Sequence, residues 1–317
     1  MSDLAASQLR AGAKADHAAA RLRNERRTRF LLLSPAMIML LFAASGPLLI
    51  VVVYSFLTPG DYGGVKWIFS GEAWFRVFFN RDIFTGEVGL ATSNITVFWR
   101  SIKLSLMTTV MCFIIGFPTA YFIATRARQN RDVWLLLIMI PFWTNLLIRT
   151  FAIMELIRNQ GTVNTLLIAL GIIDEPIQML FTEFAVMLGM TYVYLPLMIL
   201  PIYAAMERLD FSLVEAGYDL YATRWRVLKR VIFPLVKPGV IAGSILVFVP
   251  CIGAYVTPRV LGGGRQLMLG NLIELQFGQL RNWPLGAALA LTLLVIVTVA
   301  LIFYVRAAGN EENTRHG

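Results

Sequence analysis

The sequence predicts an all-α, polytopic membrane protein with about six transmembrane helices. Of the 317 residues, 57% are hydrophobic and only 15% are charged. A soluble protein of this length needs more charge to cover its surface, so membrane lipid is the expected surrounding for most of the chain. Cys112 and Cys251, the only two cysteines, lie inside apolar segments, where we expect packing roles and neither a disulfide nor a metal site.

Six apolar runs are long enough for a tilted spanning helix of about 20 residues. These runs are residues 30–56, 99–124, 133–157, 184–206, 239–257 and 285–305. The first run is too long for the apolar core of a cleaved signal peptide and has no clear cleavage site after it, so we expect it to remain as a helix.

The placement of basic residues predicts the orientation of these helices. The chain carries a net charge of +9, and no groove-reading motif accompanies that charge, so nucleic acid is not an expected partner. With both termini in the cytoplasm, 18 of the 28 basic residues fall in cytoplasmic segments, in agreement with the positive-inside rule. Those segments are the basic N-terminal residues 1–29, the loop 125–132, the loop 207–238 and the tail 306–317.

Between the first two apolar runs, residues 57–98 are rich in glycine and aromatic residues and predict an ordered periplasmic insertion. We expect its aromatic residues to form a short amphipathic helix at the membrane interface, where aromatic side chains are more often anchors than ligand contacts. They are Trp67, Trp74, Phe75, Phe78 and Phe79.

The long polar segment 209–238, between the fourth and fifth runs, predicts a helix on the cytoplasmic surface. Ser212 and Glu215 have the spacing of a capping box, which favours a helix that starts at Ser212. Leu213, Ala216, Gly217 and Leu220 then share one face at helical spacing.

A second helix is predicted to begin after Thr223 and to end or kink at Pro234 and Pro238. Its basic residues would face water or lipid headgroups. Its apolar side would consist of Trp225, Val227, Leu228, Val231 and Ile232. By these physical arguments alone, an ordinary basic amphipathic loop explains the segment equally well.

At these positions the chain resembles the EAA loop of permeases in ABC-type importers. The matching residues are Glu215, Ala216, Gly217, Asp219, Leu220, Tyr221, Ala222 and Pro234-Leu235. The resemblance implies that this helix docks into a groove of the ATP-binding subunit and passes on the closure of that subunit's dimer. Two departures stand out: Gly217 replaces the second alanine of the pattern, and Tyr221 replaces a glycine that normally turns the chain at positive φ.

The resemblance covers residues 30–305 and is closest to permeases of spermidine/putrescine importers. It is carried by PFWTNLLIRTFA at 141–152, TYVYLPLMILPIYAAMERLD at 191–210 and TPRVLGGGRQLMLGNLIELQFGQLRNWP at 257–284. It implies the type I ABC importer permease fold in the bacterial inner membrane. The implied partners are an ATP-binding subunit dimer, a second homologous permease and a periplasmic solute-binding protein.

Since the chain has no G-x-x-x-x-G-K motif, we expect no cofactor and no ATPase site of its own, with ATP-Mg bound by the partner subunits. It also lacks the HExxH and GxSxG motifs and any histidine inside the apolar runs, which argues against an intramembrane enzyme. A secondary transporter or a channel that is not coupled to ATP is the other alternative, although inverted repeats are common in secondary transporters and no repeat is visible here.

Polar residues inside or beside the spans are candidates for the solute pathway. Arg149 and Glu155 are six residues apart in the third run, so they do not share a face. Asn145 precedes Arg149 by one helical turn and is expected on the same face. A purely structural role for Arg149, such as capping carbonyl groups or pairing with a neighbouring subunit, is an equal alternative.

Aromatic side chains at Trp143, Tyr192 and Tyr194 could supply cation–π contacts to an amine, although packing is their commoner role. Glu274 is an acidic candidate near the outer mouth. Polyamine permeases often carry acids where this chain has Arg259 and Asn282, so a monoamine, a zwitterion such as an amino-acid derivative and an organic anion remain open as solutes beside a polyamine.

Overall fold

The computed structural model describes residues 33–43, 45–81, 87–210 and 212–313. The chain divides into two compact units, Met1–Val53 and Tyr54–Gly317. Helix α1, Leu33–Ser55, contains a window with a mean hydropathy of 2.6 and is long enough to span a membrane. The predicted basic segment 1–29 lies outside the described residues.

The described residues between α1 and the next long helix, 57–81 and 87–91, contain strands as well as the predicted short helix. The elements are β1 (Leu57–Pro59), β2 (Val65–Phe69), α2 (Glu72–Phe78), β3 (Phe79–Arg81) and β4 (Val88–Leu90). The strands pair in two antiparallel hairpins, β1 with β2 and β3 with β4. Trp67 lies in β2 and not in the predicted helix, whereas Trp74, Phe75 and Phe78 lie in α2.

Four further helices are long and apolar enough to cross a membrane, and one of them overlaps the predicted fifth run. They are α3 (Thr92–Ala124), α7 (Glu183–Glu207), the continuous helix Arg224–Ile252 and α13 (Trp283–Asn313). Because α13 continues to Asn313, the residues predicted as a cytoplasmic tail from 306 onward are largely an extension of the last helix.

The third apolar run is not one helix, which corrects the prediction for residues 133–157. It contains α4 (Arg128–Trp143) and α5 (Leu146–Ile157), followed by α6 (Thr162–Ala169). The chain bends by 93° between α4 and the α5–α6 stretch. Thr144 and Asn145 are extended there, and Asn145 Oδ1 accepts a hydrogen bond of 2.8 Å from the backbone N–H of Leu147, so Asn145 starts a new helix as its N-cap.

Helices α3, α7 and α10 (Phe233–Ile252) pack together as the centre of the second unit. Two glycines of α10, Gly239 and Gly243, have the small-xxx-small spacing that lets membrane helices approach closely. A Cβ at Gly239 would lie 2.6 Å from the carbonyl oxygen of Pro201 in α7, and one at Gly243 would lie 2.9 Å from Met198 Sδ. Cys112 and Cys251 are buried in this core, as predicted.

The helix that enters the core as α10 begins well before Phe233. Short helix α9 (Arg224–Val227) passes through a π-helical turn, Leu228–Ile232, directly into α10. In the wider turn the N–H of Phe233 donates to the carbonyl oxygen of Leu228, five residues back. Pro234 follows directly after this wider turn, inside the continuous helix. Of the predicted end or kink at Pro234 and Pro238, the end is wrong, because one helix runs from Arg224 to Ile252.

Two short helices, α11 (Val256–Gly262) and α12 (Leu269–Phe277), connect α10 to α13. They are held against the ends of the long helices by buried polar contacts. Asn271 Nδ2 donates to the carbonyl oxygen of Tyr255 at 2.6 Å, and the N–H of Leu269 donates to Ser101 Oγ of α3 at 2.7 Å. These contacts fix the position of Glu274 and Arg259, which the two short helices carry.

Candidate functional site

Helix α8, Ser212–Asp219, lies within the segment 209–238 that the sequence singles out. Its first turn is capped by Asp210, whose Oδ1 accepts from the N–H of Ser212 at 3.0 Å and whose carbonyl oxygen accepts from the N–H of Leu213. Ser212 is the first helical residue, so the predicted capping box between Ser212 and Glu215 is wrong. The hydrogen bonds that Ser212 donates to the ionised carboxylate lower the pKa of Asp210. An Asp two residues before a helix was the sequence signal for this cap.

The end of α8 is a closed turn with Tyr221 at its left-handed position, at a φ of 55°. The N–H of Ala222 donates to the carbonyl oxygen of Gly217 and the N–H of Tyr221 donates to that of Tyr218. This pair of bonds is the Schellman motif, in which the residue after the helix adopts positive φ. The EAA pattern has a glycine at this positive-φ position, and here Tyr221 adopts the same conformation. The Tyr221 side chain is 93% exposed.

The two faces of α8 differ from the predicted arrangement. Val214 is buried, and Gly217 turns toward the following helix, since a Cβ at Gly217 would lie 3.2 Å from Val227 Cγ2. Gly217 therefore lies on the face of α8 that packs against α9, and not on the exposed face with Leu213, Ala216 and Leu220. Four of the residues predicted to couple to an ATPase are exposed, and Ala222 is half-buried. The four are Glu215, Ala216, Asp219 and Leu220. Leu213, predicted on the apolar face of the helix, is exposed as well.

Helix α9 begins as predicted, with Thr223 Oγ1 accepting from the N–H of Arg226 at 3.4 Å. Val227 and Ile232 are buried, in agreement with the predicted apolar side. Trp225 departs from the prediction, because 71% of it is exposed. Together α8, its closed turn and α9 form a helical hairpin, which we call the α8–α9 hairpin, between core helices α7 and α10.

Arg149 of α5 is 9% exposed, and its Nε has no hydrogen-bond partner among the described residues. The bend between α4 and α5 brings the ring of Phe142 to 5.6 Å from the guanidinium carbon. Tyr194 of α7 lies close enough to interact with the same charge. Asn145 is the N-cap of α5, and its carbonyl oxygen accepts a helical hydrogen bond of 3.1 Å from the N–H of Arg149, so the two residues are one turn apart, as predicted.

The other predicted pathway residues differ in exposure and in partners. Glu155 is exposed and pairs with Arg158 at 3.1 Å, which confirms that it lies on another face of α5 than Arg149. Trp143 is 82% exposed at the end of α4, and Tyr192 is 39% exposed. The hydroxyl of Tyr194 reaches the carbonyl oxygen of Pro250 at 3.5 Å.

Arg259 and Glu274, treated separately in the sequence, are partners. Arg259 Nη1 lies 2.8 Å from Glu274 Oε1, and both side chains are partly exposed. A second charged group was missed: Glu183, at the start of α7, pairs with Lys103 at 2.7 Å and with Arg100 at 3.8 Å. Eighty residues separate Lys103 from Glu183, and no local pattern in the sequence indicates such a contact.

Comparison with known proteins identifies the class of membrane protein to which this architecture belongs. The family of binding-protein-dependent transport system inner membrane components matches residues 105–308. The chain is 36% identical over 262 residues to the spermidine/putrescine transport system permease protein PotB of Escherichia coli strain K12, covering 83% of this chain and 91% of the relative. The corresponding protein of Haemophilus influenzae is 41% identical over 211 residues, or 67% of this chain and 74% of the relative.

Among solved structures, a bacterial ABC transporter that imports the acidic polysaccharide alginate contains a chain with the same fold. The TM-score is 0.63 at 17% identity, covering 92% of this chain and 99% of the other. This likeness confirms the predicted type I importer permease fold. The family match favours an importer permease over an uncoupled secondary transporter. The chain belongs to the binding-protein-dependent transport system inner membrane components, the multi-pass permease subunits of ABC importers.

Proposed function

We propose that this permease forms half of the translocation pathway of an ATP-driven importer for a polyamine or a related amine or amino-acid derivative. A second homologous permease would supply the other half, and a periplasmic binding protein would deliver the solute. The permease relatives named for spermidine and putrescine support this solute class. The positive-inside distribution of basic residues supports cytoplasmic termini, which would place the α8–α9 hairpin on the cytoplasmic side.

The exposed face of the α8–α9 hairpin is the observation that carries the ATP-driven part of the proposal. Leu213, Leu220 and Tyr221 are 49%, 82% and 93% exposed, and the small Ala216 lies among them. A cluster of apolar residues on a polar loop favours a protein partner. We assign this face to the ATP-binding subunits, which would hold ATP-Mg, while this chain contributes no ATPase site. Glu215, beside Ala216, would form a polar contact at the edge of the interface.

The inner side of the hairpin supports a mechanical role for this contact. Gly217 lies against Val227 so closely that a methyl group would touch it. Val227 belongs to the continuous helix Arg224–Ile252, which packs on α7 in the core. Since side chains in such contact resist compression, a displacement of α8 by a closing ATPase dimer would be transmitted to this helix.

The assay is solute-stimulated ATP hydrolysis and uptake by the complete importer in proteoliposomes. We expect Leu220→Glu to abolish both activities and to lower the amount of ATP-binding subunit that co-purifies, because it places a charge in an apolar contact. Leu170→Glu is the matched control, since Leu170 is 71% exposed outside the hairpin. We expect Glu215→Ala to keep ATP hydrolysis but to lose transport, with solute binding by the periplasmic protein unchanged.

An importer that assembles and transports normally with Leu220→Glu would refute the docking assignment. If the pure chain alone transported solute into vesicles without ATP, the ATP-driven proposal itself would fail. Leu170→Glu should retain wild-type uptake, which separates a local effect on docking from a general effect of an added charge.

Solute selection is assigned to residues on α4, α5, α7, α11 and α12. The charged groups on these helices include the ion pair Arg259–Glu274 and the buried guanidinium of Arg149. The aromatic and polar candidates, proposed as wall residues, are Trp143, Asn145, Glu155, Tyr192 and Tyr194. Uptake of labelled putrescine, and its competition by unlabelled spermidine, monoamines, amino acids and organic anions, tests the solute class. Uptake that only spermidine and diamines inhibit would confirm a polyamine, and no uptake of putrescine or spermidine would exclude it.

A further inference from the structure

A groove of about 840 Å³ opens between the last turns of α3 and the start of the helix Arg224–Ile252. Phe117 and Tyr121 of α3 form one wall, and Arg224, Trp225 and Ile232 form the other. Tyr218 of α8 closes one end. Neither the coupling role of the α8–α9 hairpin nor the solute pathway accounts for this groove.

The groove changes from apolar to polar along its length. Ile232 lies eight residues after Arg224, which corresponds to about 12 Å along a helix. Phe117 lies seven residues before the end of α3 at Ala124, about 10 Å deeper in the membrane than that end. Phe117 and Ile232 are buried, whereas Arg224 and Trp225 at the other end are exposed. A headgroup layer is roughly 5–8 Å thick on each side of the bilayer, so the groove extends from that layer into the hydrocarbon.

The polar end of the groove is strongly basic. Arg224, Arg226, Lys229 and Arg230 lie within seven residues and are all exposed. None of the four appears in an ion pair with another described residue. Their charges are therefore available to an anion, and Arg224 is the one that lines the groove.

We propose that this groove binds an anionic phospholipid, with the phosphate on the Arg224 guanidinium and an acyl chain along Phe117 and Ile232. The phenol groups of Tyr121 and Tyr218 and the indole of Trp225 supply hydrogen-bond donors at the level of the headgroup, the depth that such side chains favour. A basic pocket between membrane helices is a typical headgroup site. A helix of another subunit would satisfy the apolar end of the groove but not the unpaired charge.

The test measures lipid retention by the full-length chain reconstituted in nanodiscs of equal parts phosphatidylcholine and phosphatidylglycerol. Lipids that remain bound after transfer to detergent are counted by native mass spectrometry. We expect wild-type protein to retain phosphatidylglycerol in preference to phosphatidylcholine, and Arg224→Gln to lower that retention about fivefold. Arg226→Gln is the matched control. It removes the same charge at a position two residues from Arg224, and the Arg226 side chain does not line the groove. Its retention should equal that of wild type.

A second variant, Leu228→Trp, fills the groove without changing its charge and should also displace the phosphatidylglycerol. Thermal unfolding in detergent confirms that each variant is folded. Equal losses in Arg224→Gln and Arg226→Gln would overturn the proposal, because the basic surface would then attract lipid without a site. Equal retention of the two lipids by wild type would overturn it as well. Unchanged phosphatidylglycerol retention in Arg224→Gln would overturn it too, and would leave a helix of another subunit as the occupant of the groove.

Discussion

Replacing Tyr221 with glycine should stabilise the closed turn at the end of α8. Tyr221 adopts a φ of 55°, and this left-handed conformation costs a residue with a Cβ roughly 1–2 kcal/mol. Glycine has no such cost, but it gains about 0.4–1 kcal/mol of conformational freedom in the unfolded chain. Because the Tyr221 side chain is 93% exposed, its removal sacrifices almost no packing within the chain. The net effect should be a stabilisation of the turn by about 0.5–1 kcal/mol.

Amide hydrogen exchange of the full-length protein measures this local stability. The N–H groups of Ala222 and Tyr221 close the turn by donating to Gly217 and Tyr218, and their exchange reports its opening. A stabilisation of 0.5–1 kcal/mol corresponds to exchange about two to five times slower. The effect should be confined to α8 and its turn.

Two further substitutions at the same position separate the backbone from the side chain. Tyr221→Ala keeps the Cβ and should leave exchange almost unchanged, whereas Tyr221→Val should accelerate it, since a β-branched residue tolerates positive φ least. Slower exchange in the alanine variant than in the glycine variant would refute the reasoning, because it would show that the tyrosine ring and not the backbone conformation determines the stability of the turn.

Three further predictions concern other parts of the chain. Gly239→Ala should lower the thermal midpoint in detergent by an amount equivalent to about 1–3 kcal/mol, because its Cβ would lie 2.6 Å from the Pro201 carbonyl oxygen; Gly89→Ala, with open space around it, should change nothing. Arg149→Met should leave the isolated chain as stable or more stable, since it removes a buried charge with an unpartnered Nε; a large loss of thermal stability would contradict this. Asp210→Ala should accelerate amide exchange of the Ser212 N–H at neutral pH, because that N–H donates to the Asp210 carboxylate. The wild-type protection should fall as the pH drops through the lowered pKa of Asp210, because the protonated carboxyl is a weaker acceptor than the ionised one. Protection that did not change on acidification would contradict the cap.

The positions of the long helices could be predicted because hydrophobic length is a local property of the sequence. The runs at 99–124 and 184–206 lie within α3 and α7, and the run at 239–257 overlaps the helix Arg224–Ile252. The backbone of a spanning segment must satisfy its own hydrogen bonds, so an apolar run of this length has few alternatives to a helix.

The break in the third run could have been suspected but not established. Pro141 and the pair Thr144-Asn145 are ordinary signals for a helix end and a new N-cap, yet they lie inside a continuous apolar stretch whose length indicates a single span. The 93° bend depends on the packing of α5 against α11 and α7, which is a tertiary contact. For the same reason, the burial of Arg149 could not be read from its spacing to Asn145.

The pair Arg259–Glu274 shows why the charge of a single residue is a poor guide to the charge of the solute. Taken alone, Arg259 predicts repulsion of a polycation and Glu274 predicts attraction. The structure places their side chains 2.8 Å apart, so the pair presents almost no net charge. A charged solute of either sign would have to separate the pair and would then lie beside a like charge, which is unfavourable. The pairing therefore weakens the argument against an amine that Arg259 alone suggests.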